Sequence, residues 1–452
     1  MGYLEILNGG MTSTYIKFAT QAKDENDLAS LNGLIFKIYM VFGVVASILG
    51  ITATFFVDDF FLELTNPEIK KLKVLLYMMI FNVILSSING LFDANIVLNE
   101  KFIFQKVVAI LKKALLPIIS IPLLILGMNV YMIGAIYVLT NAFALAMNSI
   151  YCIKNKQIKL TFDNKNKKLI KSILYFYFFV FLTIIVDQIN WSIDSFIIGR
   201  LRGAFEVSLY SIAHQINSAF LIFSTGISSV FITRIHKIDK NDNESFLELT
   251  KKVGRIQFMI LSLILTGFIL FGQKFIAIWV GTTYKDAYII TLLLITPLVF
   301  ITIKSILNEV YRAKNKHIAR TLIYLGIALI NVVISYFLCN KYGAIGAAVG
   351  TTISLVIGNI VIMNIYDHHV IKVNMFKFWK EISKLLPAVL LSFILGIIIT
   401  KLIPTTSIIL YLASICVYVI AYVICLYLIG LNKNEKSLIT EILKKAKRVL
   451  KK

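Results

Sequence analysis

Charge is scarce in this chain of 452 residues. Only 15% of its side chains are Asp, Glu, Lys or Arg, against about 25% in an ordinary soluble protein. Acidic residues are the scarcer sign, 24 against 46 Lys and Arg. Cysteine is rarer still. Cys152, Cys339, Cys416 and Cys425 lie in or beside apolar runs with no CxxC spacing, which excludes a disulfide scaffold and a thiolate metal centre. The histidines cluster only at His368-His369, at a helix end beside a basic loop. No HExxH, GxSxG or GxxxxGK[ST] run occurs, so the motifs of zinc hydrolases, serine hydrolases and P-loop ATPases are missing. The chain reads as a non-enzyme with no cofactor and no metal.

What is abundant is hydrocarbon. Hydrophobic residues make up 58% of the chain, and the mean hydropathy is +0.82. A membrane helix needs about 20 mostly apolar residues. Twelve runs of that kind follow one another, the first at Leu31–Val57 and the last at Ile408–Leu431. Residues 1–20, with Glu5, Asn8, Gly9 and Gly10, form a thirteenth and more polar segment. The links between runs are short. These features predict an all-α, multi-pass integral membrane protein of about 13 transmembrane helices.

The formal charge of +22 then reads as topology. With alternate loops assigned to alternate sides, 36 of the 46 basic residues fall on one side and 9 on the other, with Lys304 inside a span. The positive-inside rule makes the first side cytoplasmic, the C-terminus included. A nucleic-acid partner is not expected, because the basic residues are spread over short loops instead of lining one face. The tail, residues 432–452, carries eight Lys or Arg with Leu438, Ile442, Leu443, Ala446 and Leu450 at helical spacing. It reads as an amphipathic helix on anionic membrane lipids.

The two halves repeat. GMNVYMIGAIYVLTNAFALAMNSIY matches CNKYGAIGAAVGTTISLVIGNIVIMNIY, pairing Gly134 with Gly346 and Thr140 with Thr352. Both copies run in the same direction, so the fold class is two parallel-repeat helical bundles around a central cavity plus two C-terminal helices. The division expected is 1–153 for a five-helix bundle, 154–171 for a basic cytoplasmic linker, 172–366 for a six-helix bundle, 367–431 for two further spans facing lipid, and 432–452 for the tail. Repeat register and sidedness both predict one more helix before Met1.

The runs IIVDQINWSIDSFIIGRLRG from Ile184, VSLYSIAHQINS, SSVFITRIHKID and YGAIGAAVGTTIS from Tyr342, in that order and spacing, resemble the polysaccharide (O-antigen or lipid-linked oligosaccharide) flippase family. That family belongs to the multidrug/oligosaccharidyl-lipid/polysaccharide exporter superfamily. The resemblance covers essentially the whole chain. It implies flipping of a polyprenyl-pyrophosphate-linked oligosaccharide to the outer face of a bacterial plasma membrane, with polysaccharide polymerase or glycosyltransferases as partners. A cation-coupled multidrug antiporter of the same superfamily would need a deep acidic site in the first bundle, where only Asp93 and Glu5 offer one. A membrane polymerase or ligase would need a large outer loop, and none is present.

Ionisable groups inside spans are functional candidates by default. Lys304 stands mid-run, seven residues after Pro297; it snorkels, pairs with a carboxylate or lines a wet cavity, and in a cavity it suits attraction of a pyrophosphate. Asp187 and Asp194 lie seven apart with Gln188, Asn190 and Trp191 between them, which puts both carboxylates on nearly one helix face. That patch reads as sugar hydrogen bonding or cation binding, or as helix packing. Arg200 and Arg202 follow at the outer boundary, placed to pair with Asp194, to receive an anionic head group or to be solvated, with pairing favoured. Asp93, His214 and Gln215 are further polar intrusions.

Overall fold

The computed structural model describes residues 6–22, 24–61, 63–129, 131–155, 158–162, 167–231, 235, 238–239, 242–314, 316–403, 407–433 and 435–437. The side chains of Asp187, Gln188, Asn190 and Trp191 lie outside the described residues. Among those described, every regular element is a helix. Lipid offers backbone groups no hydrogen bonds, and a helix satisfies them within its own segment.

The chain divides into two compact units, Met1–Ile193 and Asp194–Lys452. The first contains α1 (Ile6–Ala19), α2 (Glu25–Phe55), α3 (Asn66–Leu98), α4 (Phe102–Ile125), α5 (Tyr131–Lys154) and the beginning of α6 (Lys167–Val230). Local chemistry sets the helix starts. The Asp24 carboxylate accepts from the Asp27 amide at 2.7 Å. Thr65 and Glu68 form a reciprocal capping box with Pro67 in the first turn of α3, which satisfies backbone donors that a helix start leaves open. The core of this unit gathers Met11, Tyr15, Leu31, Ile35, Tyr39, Leu91 and Ala94. Within it, Tyr15 Oη donates to Asn32 Oδ1 at 2.8 Å and accepts from Asn95 Nδ2 at 3.0 Å. Val41, Val44, Ile48, Leu49 and Phe55 of α2 stand exposed, the arrangement a lipid-facing surface requires.

A short stretch after α5 straps across α2. Thr161 N donates to Ala29 O at 3.1 Å, Lys37 Nζ donates to Phe162 O at 2.9 Å, and Lys159 pairs with Glu25 at 2.7 Å. Gly33 makes this approach possible, since a Cβ there would lie 2.1 Å from Thr161 O.

The second unit takes the rest of α6, then α7 (Asn243–Trp279), α8 (Ala287–Thr302), α9 (Leu307–Ala313), α10 (His317–Leu355), α11 (Met363–His369), α12 (Met375–Ser383), α13 (Leu386–Leu402) and α14 (Ile408–Cys425). Both α6 and α10 are interrupted, at Gly203 (φ 80°) and Gly343 (φ 62°), in a region that only glycine enters at no steric cost. The chain reverses at each. Tyr210 reaches back to Asp194 at 2.7 Å across Gly203, and a Cβ on Gly346 would lie 2.1 Å from Leu338 O across Gly343. Each of these elements therefore contains two of the predicted spans. With the arms counted separately, and with α9 joined to α8, α11 to the second arm of α10 and α13 to α12, the described residues make 13 helical segments. Among the described residues, eight helices are long and apolar enough to cross a membrane, with Ala287–Thr302 as a shorter apolar one.

The charges beside the two reversals hold them together. Arg202 donates to Cys339 O at 3.1 Å and to Asn340 O, and Glu206 accepts from the Ala344 amide at 2.9 Å. A cation thus meets the carbonyl end of one arm and an anion the amide end of the next, as helix dipoles favour. Arg202 was expected to pair with Asp194 and instead closes this corner.

The last two spans are not purely lipid-facing. Along α14, Tyr411 Oη donates to Phe271 O at 3.0 Å, Tyr418 Oη to Thr266 Oγ1 at 2.6 Å, and Tyr422 Oη lies 2.7 Å from Ser262 Oγ. This ladder seats one face of α14 on α7.

Candidate functional site

Three polar clusters among the described residues contain ionisable groups singled out in the sequence: Lys304, Asp194 and Asp93. Two belong to the second unit and one to the first.

Lys304 sits in a break between α8 and α9, where residues 303–306 leave the helix. Pro297 upstream removes one backbone donor of α8. A Cβ on Gly254 would lie 2.8 Å from Ile303 O, so α7 presses directly against the break. Next to it, Gln257 Nε2 donates to Ser228 Oγ at 2.8 Å and to Ser305 Oγ at 3.2 Å. The Lys304 ammonium turns to Asp367 Oδ2 at 3.2 Å. Tyr311 Oη donates to the other oxygen of Asp367, and the Arg320 guanidinium lies 5.5 Å from the Tyr311 ring and 4.5 Å from that of Tyr324. The Lys304 and Asp367 side chains are 7% and 0% exposed. Asp367 is the buried partner that reading the spans missed. It stands at the end of an apolar run beside His368-His369, where a carboxylate looks interfacial.

Asp194 is buried at the end of a second cluster, built of hydroxyls and one amide. Its Oδ2 accepts from Tyr210 Oη at 2.7 Å and from Thr351 Oγ1 at 2.5 Å. Thr351 Oγ1 also lies 3.3 Å from Asn331 Oδ1, and Ser335 Oγ donates to Asn331 Oδ1 at 2.9 Å. Asp194 Oδ1 has no hydrogen-bond partner. No ammonium or guanidinium pairs with this carboxylate among the described residues. A carboxylate in that setting is held by hydroxyl donors alone, and a proton or small cation is what its charge calls for. Arg200 lies half-buried on the same arm, His214 is half-buried and Gln215 exposed further along α6. Neither His214 nor Gln215 is among the bonded partners of Asp194.

In the first unit, Asp93 of α3 accepts from Gln105 Nε2 of α4, 3.2 Å from each carboxylate oxygen. It lines a cavity of about 270 Å³ together with Lys112 and Asn148.

A family model described as polysaccharide biosynthesis protein matches residues 10–289, more than half of the chain. The chain belongs to the polysaccharide biosynthesis protein family. This family member is 27% identical over 207 residues to the capsular polysaccharide biosynthesis protein CapF of Staphylococcus aureus, covering 45% of this chain and 52% of the relative. It is 24% identical over 220 residues to a putative O-antigen transporter of Shigella flexneri, covering 48% and 52%. The chain spans about half the length of these curated relatives.

Among solved structures, the family member resembles the lipid II flippase MurJ in its inward closed conformation. The TM-score is 0.76 at 17% identity, over 94% of this chain and 88% of that one. An inward-facing multidrug resistance MATE transporter of the MOP superfamily follows at TM-score 0.68 and 14% identity, over 82% and 86%. At such identities the likeness concerns the fold. It is the all-α membrane fold of these transporters, and the sequence family favours the polysaccharide branch over the drug antiporters.

Proposed function

We propose that this chain flips a polyprenyl-pyrophosphate-linked oligosaccharide from the cytoplasmic to the outer leaflet of a bacterial plasma membrane, for cell-surface polysaccharide. The observation that carries the reading is a joint one. A polysaccharide-biosynthesis sequence is laid on a fold held in common with a lipid II flippase. Glycosyltransferases would supply the substrate inside and a polymerase would consume it outside.

The mechanism is alternating access without ATP. Two helical bundles rock against each other, and the spans of 367–431 ride with the second. The head group is anionic, and an inside-negative potential favours its outward passage by about 2.3 kcal/mol per charge per 100 mV. Lys304 stays neutralised by Asp367 while the head group is absent and can exchange that partner for a pyrophosphate oxygen when it arrives. Asp194 has an acceptor to spare and serves as the group that takes up a proton or a small cation during the cycle. The hydroxyl donors on Oδ2 and the open Oδ1 support this over direct sugar contact.

The test is reconstitution. Full-length chain in liposomes is given a fluorescent, short-chain polyprenyl pyrophosphate bearing a disaccharide, and a membrane-impermeant quencher reports its leaflet. Protein-dependent loss of protection is expected, reduced by Lys304→Ala without loss of membrane insertion. Identical kinetics in protein-free liposomes would end the flippase reading.

A further inference from the structure

The cavity beside Asp93 lies wholly within the first unit, among α1, α3, α4 and α5. It sits at the end of those helices next to Asn99–Lys101, the side that the distribution of basic residues assigns to the cytoplasm. Two ionisable residues line it, Asp93 and Lys112, so it carries no net charge. The other polar groups in its wall are the amides of Asn89, Gln105 and Asn148 with two hydroxyls. Four of the lining side chains form two hydrogen-bonded pairs. Gln105 Nε2 reaches both oxygens of Asp93 at 3.2 Å, and Asn148 Nδ2 donates to Asn89 Oδ1 at 3.0 Å. The Asn148 side chain is 3% exposed, yet its Oδ1 has no partner.

This lining selects by elimination. A pyrophosphate calls for net positive charge, and here the single lysine is offset by Asp93. A free cation calls for net negative charge, which Lys112 offsets in turn. An apolar ligand would strip water from a carboxylate and three amides without replacing their hydrogen bonds, at a cost of about 1–3 kcal/mol each. What remains is a neutral molecule with many donors and acceptors on a small frame. A sugar ring is such a molecule, because adjacent hydroxyls pair with planar carboxylate and amide groups two at a time. Size narrows it further. At about 270 Å³ the cavity falls just below the ~300–1,000 Å³ of sites for drug-sized ligands, which leaves room for one ring and not for a chain of them.

We infer that this cavity is a saccharide subsite that takes one neutral pyranose ring, a hexose or its N-acyl derivative, through Asp93, Gln105 and Asn148. The inference rests on the flippase reading for the source of the ring and deepens it: the sugar is inspected in the first unit while the charged groups of the second serve the pyrophosphate and the coupling ion.

Saturation-transfer NMR on the full chain in lipid nanodiscs tests it, with the methyl glycosides of glucose, galactose and N-acetylglucosamine as probes. Transfer to the ring protons of at least one glycoside is expected. It should fall about tenfold in Asp93→Asn and in Gln105→Leu, the cost of one hydrogen bond to a charged group. Gly326→Ala, in the second unit, should leave it unchanged. Transfer no greater than in empty nanodiscs, or equal in wild type and both variants, overturns the subsite. The liposome assay separates the two readings. Saturation transfer without movement of the disaccharide lipid would sink the flippase and leave the subsite, whereas movement without saturation transfer would do the reverse.

Discussion

Lys304 Nζ stands 3.2 Å from Asp367 Oδ2 with both side chains buried, so each ion is the other's compensation across 63 residues of sequence. Removing one partner strands a charge in a low-dielectric surrounding, which costs about 3–5 kcal/mol, whereas removing both can be close to neutral. Lys304→Ala and Asp367→Ala are therefore each expected to melt well below wild type in detergent. The double variant should recover much of the loss while still failing to transport. Thermal unfolding of the four proteins checks this, and additive losses in the double variant would show that the pair is not an energetic unit.

That pair also marks what could be read in advance. A lysine inside an apolar run announces itself. Its partner does not, because Asp367 closes a span where charged residues are ordinary, and no short spacing links the two. Asp194 was visible in the same way as Lys304, yet Tyr210 and Thr351 reach it only because the chain reverses at Gly203 and a second arm packs alongside. The spans themselves were legible because lipid demands long apolar segments. Which face of a span meets protein was not, since hydropathy scores a lipid-facing and a buried helix alike. The tyrosines of α14 illustrate it: they read as a greasy surface and turn out to be rungs on α7.

Asp194 makes a second prediction. Its carboxylate has hydroxyl donors but no basic partner among the described residues. If it takes up a proton or a small cation in each cycle, wild-type transport will depend on sodium or on pH when sodium is replaced by N-methylglucamine at pH 6 and pH 8. Asp194→Asn keeps the shape and the contacts of Oδ2 but cannot change charge. Its transport is expected to be slow and flat across all four conditions. A variant that retains the wild-type cation response removes Asp194 from coupling.

The strap over α2 depends on the absence of one methyl group. A Cβ at Gly33 would meet Thr161 O at 2.1 Å and its carbonyl carbon at 2.8 Å, and backbone atoms cannot step aside as a flexible side chain can. Gly33→Ala is expected to destabilise by about 1–3 kcal/mol, the range for overpacking, and to free the following basic segment for trypsin. Gly326→Ala is the matched control. Nothing lies within 4 Å of a Cβ there, and losing a helical glycine is expected to raise stability by about 0.5–1 kcal/mol. Equal melting points for the two variants would contradict the packing at Gly33.

A buried guanidinium clasps the start of the tail at Glu435. Arg255 of α7 has a side chain 4% exposed. Its Nε and Nη2 donate to the two oxygens of Glu435 at 2.7 and 2.8 Å, while Nη2 also reaches Gly430 O at 2.9 Å and Nη1 reaches Glu381 O at 3.1 Å. Asn432 and Glu435 complete the junction by capping each other's amides at 2.9 Å. A lysine has three donors on a point charge and cannot reproduce this planar fork. Arg255→Lys should therefore cost nearly as much as breaking a buried ion pair, about 3–5 kcal/mol, and should expose Lys433 and Lys436 to trypsin. Glu435→Gln keeps the backbone contacts of Arg255 and should give a smaller loss with the same cleavage. Wild-type cleavage rates in both variants would mean that the tail is held by something other than this clasp.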